Sequence, residues 1–403
     1  MHPDAMRRID RHAGTPLCRV VTLIERLRPS PAPAGPPRRI LFICLAEIGA
    51  LFIAHPALRA AQRRFGDVEL WFMTFATGSE ALALMGIPAE RRLILDPSSL
   101  GGLIGSAAKA LQRVRAAGID TTVNLEVYAR FSTLLAWASG AGRRVGFHRF
   151  AEEGHDLGDL LTHKVIYNPH RHVADSYLSL VAAAAEPASS EPRAKTAIAR
   201  TGEDRLRILS DDAGLAAIQA KLRAACPALE DRHRLVILNA NASDLVALRR
   251  WPDDNYVALA KRLLERDDIA VVLTGAPSET GANAGLAARI GHPRVANMAG
   301  RTSFRELIDL YNACHAMVTN DSGPAHFASA TDLPTLVLFG PETPDIFGPV
   351  GPRQQALYLG LACSPCVSVY NQKRSLCTDN LCLKDITVDA VLARTRALIG
   401  DRP

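Results

Sequence analysis

The segment Thr319-Asn-Asp-Ser-Gly-Pro-Ala-His326 combines residue types that bind anions. Asp321 or Ser322 is predicted to cap a helix that starts here, and Pro324 suits the first turn of that helix. Gly323 lets a ligand approach the backbone closely, and His326 lies within reach of a phosphate oxygen. The free N–H groups and positive dipole end of such a helix form a site for a diphosphate. The same pattern also starts many ordinary helices, so it does not fix a function by itself.

Short apolar runs alternate with helical stretches around this segment, which predicts an α/β fold with parallel sheets. A first series of strands is predicted at Ile40–Leu45, Val68–Met73, Leu93–Leu95, Ile119–Leu125 and Arg144–Phe147, with a helix at Pro56–Phe65. A second series is predicted at Leu235–Asn239, Ile269–Thr274, His315–Thr319 and Thr335–Phe339, with helices near Asp254–Glu265 and Ser303–Asn312. Two such sheets predict a cleft at the carboxyl ends of their strands, where open α/β sheets bind ligands.

Three regions follow from this pattern. Residues 1–37 form a basic, Pro-rich tail, predicted to be either disordered or a basic amphipathic helix resting on an anionic membrane. Residues 38–185 form the first Rossmann-like domain. The Ala-, Pro- and Ser-rich stretch Ala182–Ala197 is predicted to connect it to the second domain, residues 186–403.

Composition narrows the class of protein. The 403 residues suit two domains, and 48% hydrophobic residues are ample for two cores. Aromatic residues make up only 5%, which argues against base-stacking nucleic-acid modules. No apolar run is long enough to span a membrane and no signal-peptide core is present, so a cytoplasmic protein is expected.

Several ordered motifs beyond Asp321 resemble glycosyltransferase family 9, the family of ADP-heptose:lipopolysaccharide heptosyltransferases. Family members carry a D-[ST]-G-x-x-H helix start, a strand ending in F-G-P-T-x-P and a G-P-x-G turn. This sequence has the first at Asp321–His326, Phe339-Gly-Pro-Glu-Thr-Pro-Asp345 for the second and Gly348-Pro-Val-Gly351 for the third. Further landmarks occur upstream in the family's order, at Leu248–Pro252, Thr274–Glu279 and Met298–Ser303. The resemblance covers residues 38–400 and implies a GT-B fold, with two Rossmann-like domains facing each other across a cleft.

The resemblance also implies roles for individual residues. Arg249 stands at the position of a family Lys and would neutralise the departing diphosphate, with a different geometry from Lys. Glu279 would hydrogen-bond the ribose, and the backbone near Thr302 would contact the base. The predicted donor-binding residues are Gly49, Asn241, Glu279, Thr302, Asp321, Ser322, Gly323 and His326.

The sequence departs from the family at its general base. The family motif is S-x-G-D after the first strand, with Asp as the base, but here Leu45-Ala-Glu-Ile-Gly-Ala50 has Ala50 at the Asp position. Alanine cannot accept a proton. Glu47 lies on the same loop, so we predict Glu47 as the relocated base, with Arg249 as the second catalytic residue.

Polar residues of the N-terminal half are predicted to bind the acceptor: Glu126, Arg130, His148 and Arg149. Arg130 falls at or near a family Lys that meets acidic sugar groups, and a basic rim suits an anionic saccharide or a phosphorylated lipid head. His163, His170 and His172 are interpreted as unliganded surface histidines rather than metal ligands, because they lack helical i, i+4 pairing.

Four late cysteines, Cys363, Cys366, Cys377 and Cys382, leave three interpretations open. They form a structural zinc site, one or two disulfides, or reduced thiols packed in a long loop spanning 363–382.

The predicted function is an inverting, metal-independent transfer of a heptose-like sugar from a nucleotide-diphosphate donor. The predicted acceptor is a saccharide or a lipid-linked molecule, as in the synthesis of the lipopolysaccharide-type glycans of the cell envelope. No cofactor is required, no Asp-x-Asp pair is present for a metal, and no nucleic acid is bound. Peripheral contact with the inner membrane is expected. The alternatives are a nucleotide-sugar epimerase or hydrolase of the same fold, which would turn over donor without acceptor, and an inactive nucleotide-binding relative, which Ala50 would explain.

Overall fold

The computed structural model describes residues 3–27, 35–45, 48–151, 154–201, 204–242, 244–371 and 373–400. The chain divides into two compact units, unit 1 up to Arg205 and unit 2 from Leu206. Each contains one six-stranded sheet in which all neighbouring strands run parallel. The predicted pair of Rossmann-like domains is therefore confirmed.

The sheet of unit 1 has the order β3-β2-β1-β4-β5-β6. Its strands are β1 (Arg39–Ile43), β2 (Glu69–Phe75), β3 (Arg92–Leu95), β4 (Thr121–Asn124), β5 (Arg143–Phe147) and β6 (His163–Val165). The central strand β1 has a nearly continuous apolar sequence because helices cover both faces of a parallel sheet. The strand order reverses between β1 and β4, so their carboxyl ends form the switch point of this sheet.

Seven helices among the described residues belong to unit 1. They are α1 (Pro3–Ile9), α2 (Thr15–Leu27), α3 (Ile48–Phe65), α4 (Ser79–Leu84), α5 (Leu100–Ala116), α6 (Arg130–Ala138) and α7 (Val173–Ala184). Helix α3 begins eight residues before the predicted Pro56 and contains that proline in its interior. On one face of the sheet, α5 and α6 bury a core around Leu41, Met73 and Val114.

Residues 3–27 do not form a disordered tail, the first of the two alternatives predicted for this stretch. A π-helical turn, Asp10–Gly14, joins α1 to α2, and Cys18 and Val21 of α2 are buried against Leu160. Burial raises the pKa of the Cys18 thiol to about 11. This segment is therefore a packed part of unit 1, and the prediction of a separate disordered tail is wrong for residues 3–27.

The stretch predicted to connect the domains also belongs to unit 1. Helix α7 continues to Ala184, Ser189 forms a β-bridge with His163, and the Arg193 amide donates to the carbonyl of Lys164. These contacts fasten the chain around Ser189 and Arg193 to the edge strand β6. The boundary therefore lies at 205/206 rather than at the predicted 185/186.

The sheet of unit 2 has the order β12-β11-β10-β7-β8-β9. Its strands are β7 (Arg234–Asn239), β8 (Ile269–Leu273), β9 (Val295–Asn297), β10 (Ala316–Asn320), β11 (Thr335–Phe339) and β12 (Gln354–Tyr358). Four of them lie within a residue of their predicted bounds, while β9 and β12 were not predicted. The order reverses between β7 and β10, which sets the switch point of this sheet.

The helices of unit 2 are α8 (Asp212–Ala225), α9 (Asp253–Leu264), α10 (Thr280–Ile290), α11 (Phe304–Ala313), α12 (Gly323–Ala328), α13 (Pro344–Phe347), α14 (Leu381–Lys384) and α15 (Val388–Leu398). The main core lies where α9, α10 and α15 cover the central strands, around Trp251, Leu263 and Val391. In the part of the chain that the structure describes, no helix has the length and apolarity to cross a membrane.

Candidate functional site

In unit 2, the residues predicted to bind the donor follow the carboxyl ends of four neighbouring strands. Asn241 follows β7, Glu279 follows β8, Thr302 follows β9, and the segment from Asp321 follows β10. Because all strands run parallel, these segments emerge at one edge of the sheet, on both sides of the β7–β10 switch point. The fold of unit 2 therefore brings the predicted donor residues to one edge.

The turn after β10 leads into α12, a helix of six residues whose N-cap residue is Ser322. Its hydroxyl donates to the Asn320 carbonyl at 3.2 Å and makes no capping bond, so side-chain capping by Ser322 was predicted wrongly. Among the described residues, the Ser322 and Gly323 amides donate no hydrogen bond. His326 is buried one turn into the helix. The turn thus offers two backbone donors to an anion.

Arg249 lies between two carboxylates at this edge. Its Nη2 is 2.6 Å from Oε1 of Glu342, and its Nε is 3.5 Å from Oδ2 of Asp321. All three residues are buried. Carboxylates and phosphates accept hydrogen bonds from a guanidinium group in the same geometry. The Arg249 side chain, which binds two carboxylates here, could therefore bind a phosphate at the end of β10 instead.

The role of Glu342 was missed in the sequence. It follows β11 in Phe339-Gly-Pro-Glu, where the family motif has Thr, and this substitution was the available signal. An additional acid at that position accompanies Arg in place of the family Lys at position 249. The two departures from the family pattern form one ion pair in the structure.

Asn320 joins β10 to the loop that carries Arg249. Its Oδ1 accepts from the Trp251 amide at 3.0 Å, and its Nδ2 donates to the Ala240 carbonyl at 2.9 Å. The Tyr256 hydroxyl lies 3.2 Å from the same Oδ1, and burial raises the pKa of Tyr256 well above its usual value, so it remains a donor. This buried network fixes the backbone next to Arg249. Sequence reasoning assigned Asn320 no role.

Three side chains converge above Gly275, the second residue after β8. A Cβ built on Gly275 would lie 2.6 Å from Nδ2 of Asn283, 2.8 Å from Nδ2 of Asn241 and 3.0 Å from Oε2 of Glu279. Glu279 Oε2 also accepts from the Ala276 amide at 2.7 Å, which fixes the carboxylate in the loop. Asn241 and Glu279, both predicted to bind the donor, are therefore neighbours in the structure.

In unit 1, Glu126 occupies the β1–β4 switch point. Its Oε1 accepts from the Leu45 amide at 2.6 Å, so it supports the backbone that leads to the predicted base. Glu47 itself lies outside the described residues. Gly49 and Ala50 lie in the first turn of α3, Gly49 buried and Ala50 half-buried.

Arg130, predicted to bind the acceptor, is 5% exposed and already has protein partners. Its Nη1 is 3.5 Å from Oδ2 of Asp10, and its Nε donates to the Asp156 carbonyl at 3.1 Å. Contact with an acceptor would require Asp10 to release it. His148 and Arg149 follow β5 at the same edge as Glu126 and are half-buried.

Two of the three histidines interpreted as surface residues are buried. His163 lies in β6, with Nδ1 2.8 Å from the Thr162 hydroxyl and Nε2 2.8 Å from the Glu186 carbonyl. Burial lowers its pKa to about 4. His172 caps α7 by accepting from the Ala174 amide, and only His170 is exposed. The surface interpretation is therefore wrong for His163 and His172, which have structural partners instead.

The four late cysteines are free thiols in the structure. Cys363 and Cys377 are exposed, whereas Cys382 is buried in α14. Burial, followed by the nearby thiols of the other three, raises the pKa of Cys382 to about 11. Among the described residues no group of three or more His, Cys, Asp or Glu side chains is arranged to hold a metal ion.

Two parallel six-stranded sheets of this order, with polar residues at their carboxyl edges, define a protein of the GT-B type. The sequence model of glycosyltransferase family 9 (heptosyltransferase) matches residues 108–376. The chain belongs to this family.

Individual relatives resemble parts or all of the chain. The chain is 32% identical over 159 residues to lipopolysaccharide heptosyltransferase 2 of Salmonella typhimurium, a match that covers 38% of this chain and 43% of that enzyme. The chain thus spans less than half the length of this curated relative. The structure of E. coli ADP-heptose lipopolysaccharide heptosyltransferase II superposes with a TM-score of 0.67 at 20% identity, over 90% of this chain and 98% of that one. A family 9 glycosyltransferase from Veillonella parvula gives a TM-score of 0.70 at 19% identity, over 92% and 99%.

Proposed function

We propose that this protein is an inverting, metal-independent glycosyltransferase that moves a heptose-like sugar from an ADP-linked donor to a lipid-linked saccharide. The product would be a lipopolysaccharide-type glycan of the cell envelope. Family membership and the names of the relatives support the reaction class and the donor. The observation that carries the proposal is Arg249, buried at the switch point of unit 2 beside Asp321, the residue that precedes the Ser322 and Gly323 amides.

In the proposed reaction, the acceptor hydroxyl loses its proton to Glu47 and its oxygen attacks the anomeric carbon. The bond from that carbon to the diphosphate breaks, and configuration at the carbon inverts. Arg249 and the two amides receive the negative charge that develops on the leaving group. Protein groups thus supply the positive charge that a divalent cation supplies in other transferases. Asn241 and Glu279 hold the ribose, with Thr302 near the base and His326 near the phosphates.

We place the acceptor on unit 1, against Glu126, His148 and Arg149. Arg130 joins this set only if Asp10 gives way. A lipid-linked acceptor would bring the protein to the inner membrane, and we propose peripheral contact there, from the cytoplasmic side.

Turnover of ADP-heptose with truncated lipopolysaccharide as acceptor tests the reaction. We expect ADP release that requires acceptor and persists in EDTA, with a product of inverted anomeric configuration by NMR. Donor consumption without acceptor would identify an epimerase or hydrolase instead. ADP binding without turnover of any sugar donor would identify an inactive relative.

A matched pair of variants tests the base. Glu47→Gln should lower kcat by about 10²–10⁴-fold, the usual contribution of a general base. Glu126→Gln keeps an oxygen that accepts from the Leu45 amide, so we expect a change in KM and a kcat close to that of the unmodified chain. The reverse pattern would assign the base to Glu126 and remove Glu47 from the mechanism.

A further inference from the structure

Helix α2 has two apolar faces, and the rest of unit 1 covers only one of them. The covered face carries Cys18 and Val21, which pack against Leu160. The opposite face carries five large apolar residues whose side chains are 45–75% exposed. We call these residues, Leu17, Val20, Leu23, Ile24 and Leu27, the α2 stripe.

The spacing of the α2 stripe makes it one continuous surface. Leu17, Val20, Ile24 and Leu27 follow at intervals of three, four and three residues, which places them in line on a helix of 3.6 residues per turn. Leu23 lies beside Ile24 on the same side. An apolar surface of this kind on a helix indicates a contact with another apolar phase.

In residues 3–27, which include α2, acidic and basic side chains lie on different sides. Asp10 and Glu25 point toward the rest of unit 1: Glu25 pairs with Arg144 at 2.7 Å, and Asp10 pairs with Arg130. The arginines at positions 8, 11, 19 and 26 are exposed, and Arg19 lies 3.5 Å from Asp156. Arg19 and Arg26 are about two helical turns apart along one flank of the α2 stripe.

We infer that the α2 stripe is a docking surface for an anionic lipid bilayer, lying in the interface with its apolar side chains among the acyl chains. The flanking arginines would then meet lipid phosphates. A basic amphipathic helix parallel to the membrane has this distribution. A second copy of the chain fits less well, because it would bring the same cations to the contact. This inference names the surface for the proposed membrane contact and rests on the proposed function only for the choice of membrane.

The segment is attached firmly enough to transmit such a contact to unit 1. Gly158, at φ +67°, lies so close to α2 that a Cβ would overlap the Thr22 hydroxyl and the Cys18 carbonyl. The Asp159 amide donates to the Thr22 hydroxyl at 2.8 Å. In addition, Asp10 accepts from the Phe131 amide at 2.8 Å. Helix α2 therefore cannot enter or leave the bilayer unless the rest of unit 1 moves with it or these contacts break.

Co-sedimentation of the full chain with vesicles tests the inference. Binding to equal parts of phosphatidylglycerol and phosphatidylethanolamine should exceed binding to phosphatidylcholine by at least about tenfold. Leu23→Ser with Leu27→Ser should lower the partition coefficient by about tenfold or more. Arg26→Gln should lower it about fivefold for anionic vesicles alone. The control Ile104→Ser, on a residue of α5 that is 60% exposed, should leave it unchanged.

A fluorescence-quenching measurement complements these binding measurements. Tryptophan at position 23 in Leu23→Trp should be quenched by brominated phospholipids, whereas Ile104→Trp should not. Equal binding to neutral and anionic vesicles, or unchanged binding by the double serine variant, would overturn the inference. So would a dimer in light scattering that the double variant makes monomeric, since a second copy would then cover the stripe. No sugar is present, so these outcomes are independent of whether transfer occurs.

Discussion

Replacing Arg249 with Met tests whether this side chain binds a phosphate of the ligand or only stabilises the fold of unit 2. The variant leaves Glu342 and Asp321 buried without their shared partner. Removing one member of a buried ion pair costs about 3–5 kcal/mol, because the other charge stays desolvated. In a unit of this size each kcal/mol corresponds to about 2–4 °C in Tm. Calorimetry should therefore show a Tm loss of about 6–20 °C in the transition of unit 2.

The proposed role adds a second effect that stability alone does not produce. If Arg249 binds the diphosphate, its loss removes charge-assisted hydrogen bonds to phosphate, each worth about 1.5–3 kcal/mol. The Kd for ADP should then rise about tenfold to a hundredfold in titration calorimetry. Combining Arg249→Met with Glu342→Gln neutralises one stranded acid and should recover much of the Tm. The ADP affinity should stay weak in this double variant.

Arg144 provides the matched control. It is buried, and its Nη2 lies 2.7 Å from Oε1 of Glu25, much as Arg249 lies from Glu342. Arg144→Met should lower the Tm of unit 1 by a similar amount and leave the Kd for ADP unchanged. An Arg249→Met protein that binds ADP within about twofold of the unmodified chain, while folded, would refute the phosphate role.

Two further predictions concern pH and the ribose site. The folded pKa of His163, about 4, lies below its unfolded value of about 6.5, so the unfolded chain binds the proton first as pH falls. Unit 1 should thus lose about 3 kcal/mol between pH 6.5 and 4, and His163→Gln should flatten this slope in urea titrations; an unchanged slope would assign it to other groups. Gly275→Ala should weaken ADP binding about tenfold by displacing Asn241 and Glu279, whereas Gly285→Ala, with open space around it in α10, should raise helix stability by about 1 kcal/mol and leave ADP binding unchanged. Equal ADP affinity in both variants would contradict the ribose assignment.

Periodicity predicted the central strands of both sheets but missed β6, β9 and β12. These three are edge strands, each with a neighbour on one side only. An edge strand pairs with only one other strand, so its sequence need not be the continuous apolar run of a central strand. His163-Lys-Val, Val295-Ala-Asn and Gln354-Gln-Ala-Leu-Tyr therefore lack the signal that identified β1 and β10. Their pairing depends on the sheet already being there.

Long-range ion pairs account for the other main differences between the predicted and the observed structure. Motifs and strand order placed Arg249 and Asp321 at one edge, because the order of the elements along the chain determines which segments share it. The partners of Arg130 and Arg144 are Asp10 and Glu25, 120 and 119 residues away along the chain. No local pattern links residues so far apart. A stretch rich in Arg and Pro was accordingly interpreted as a tail, although its two inward acids show that it packs on unit 1.

The packing of residues 3–27 on α6 links the proposed membrane-binding helix α2 to the residues assigned to the acceptor. Helix α6 begins at Arg130 after Ala129, which has no side-chain cap, and Asp10 supplies the missing carboxylate by accepting from the Phe131 amide. The same unit carries Glu126 and Arg149, which we assign to the acceptor. A lipid-linked saccharide is confined to the bilayer surface, so an enzyme gains effective concentration when its acceptor residues are fixed to its docking helix. Loosening that link with Asp10→Ala should therefore raise KM for vesicle-borne acceptor relative to KM for a water-soluble fragment. An equal change in both KM values would mean that Asp10 acts only by holding Arg130.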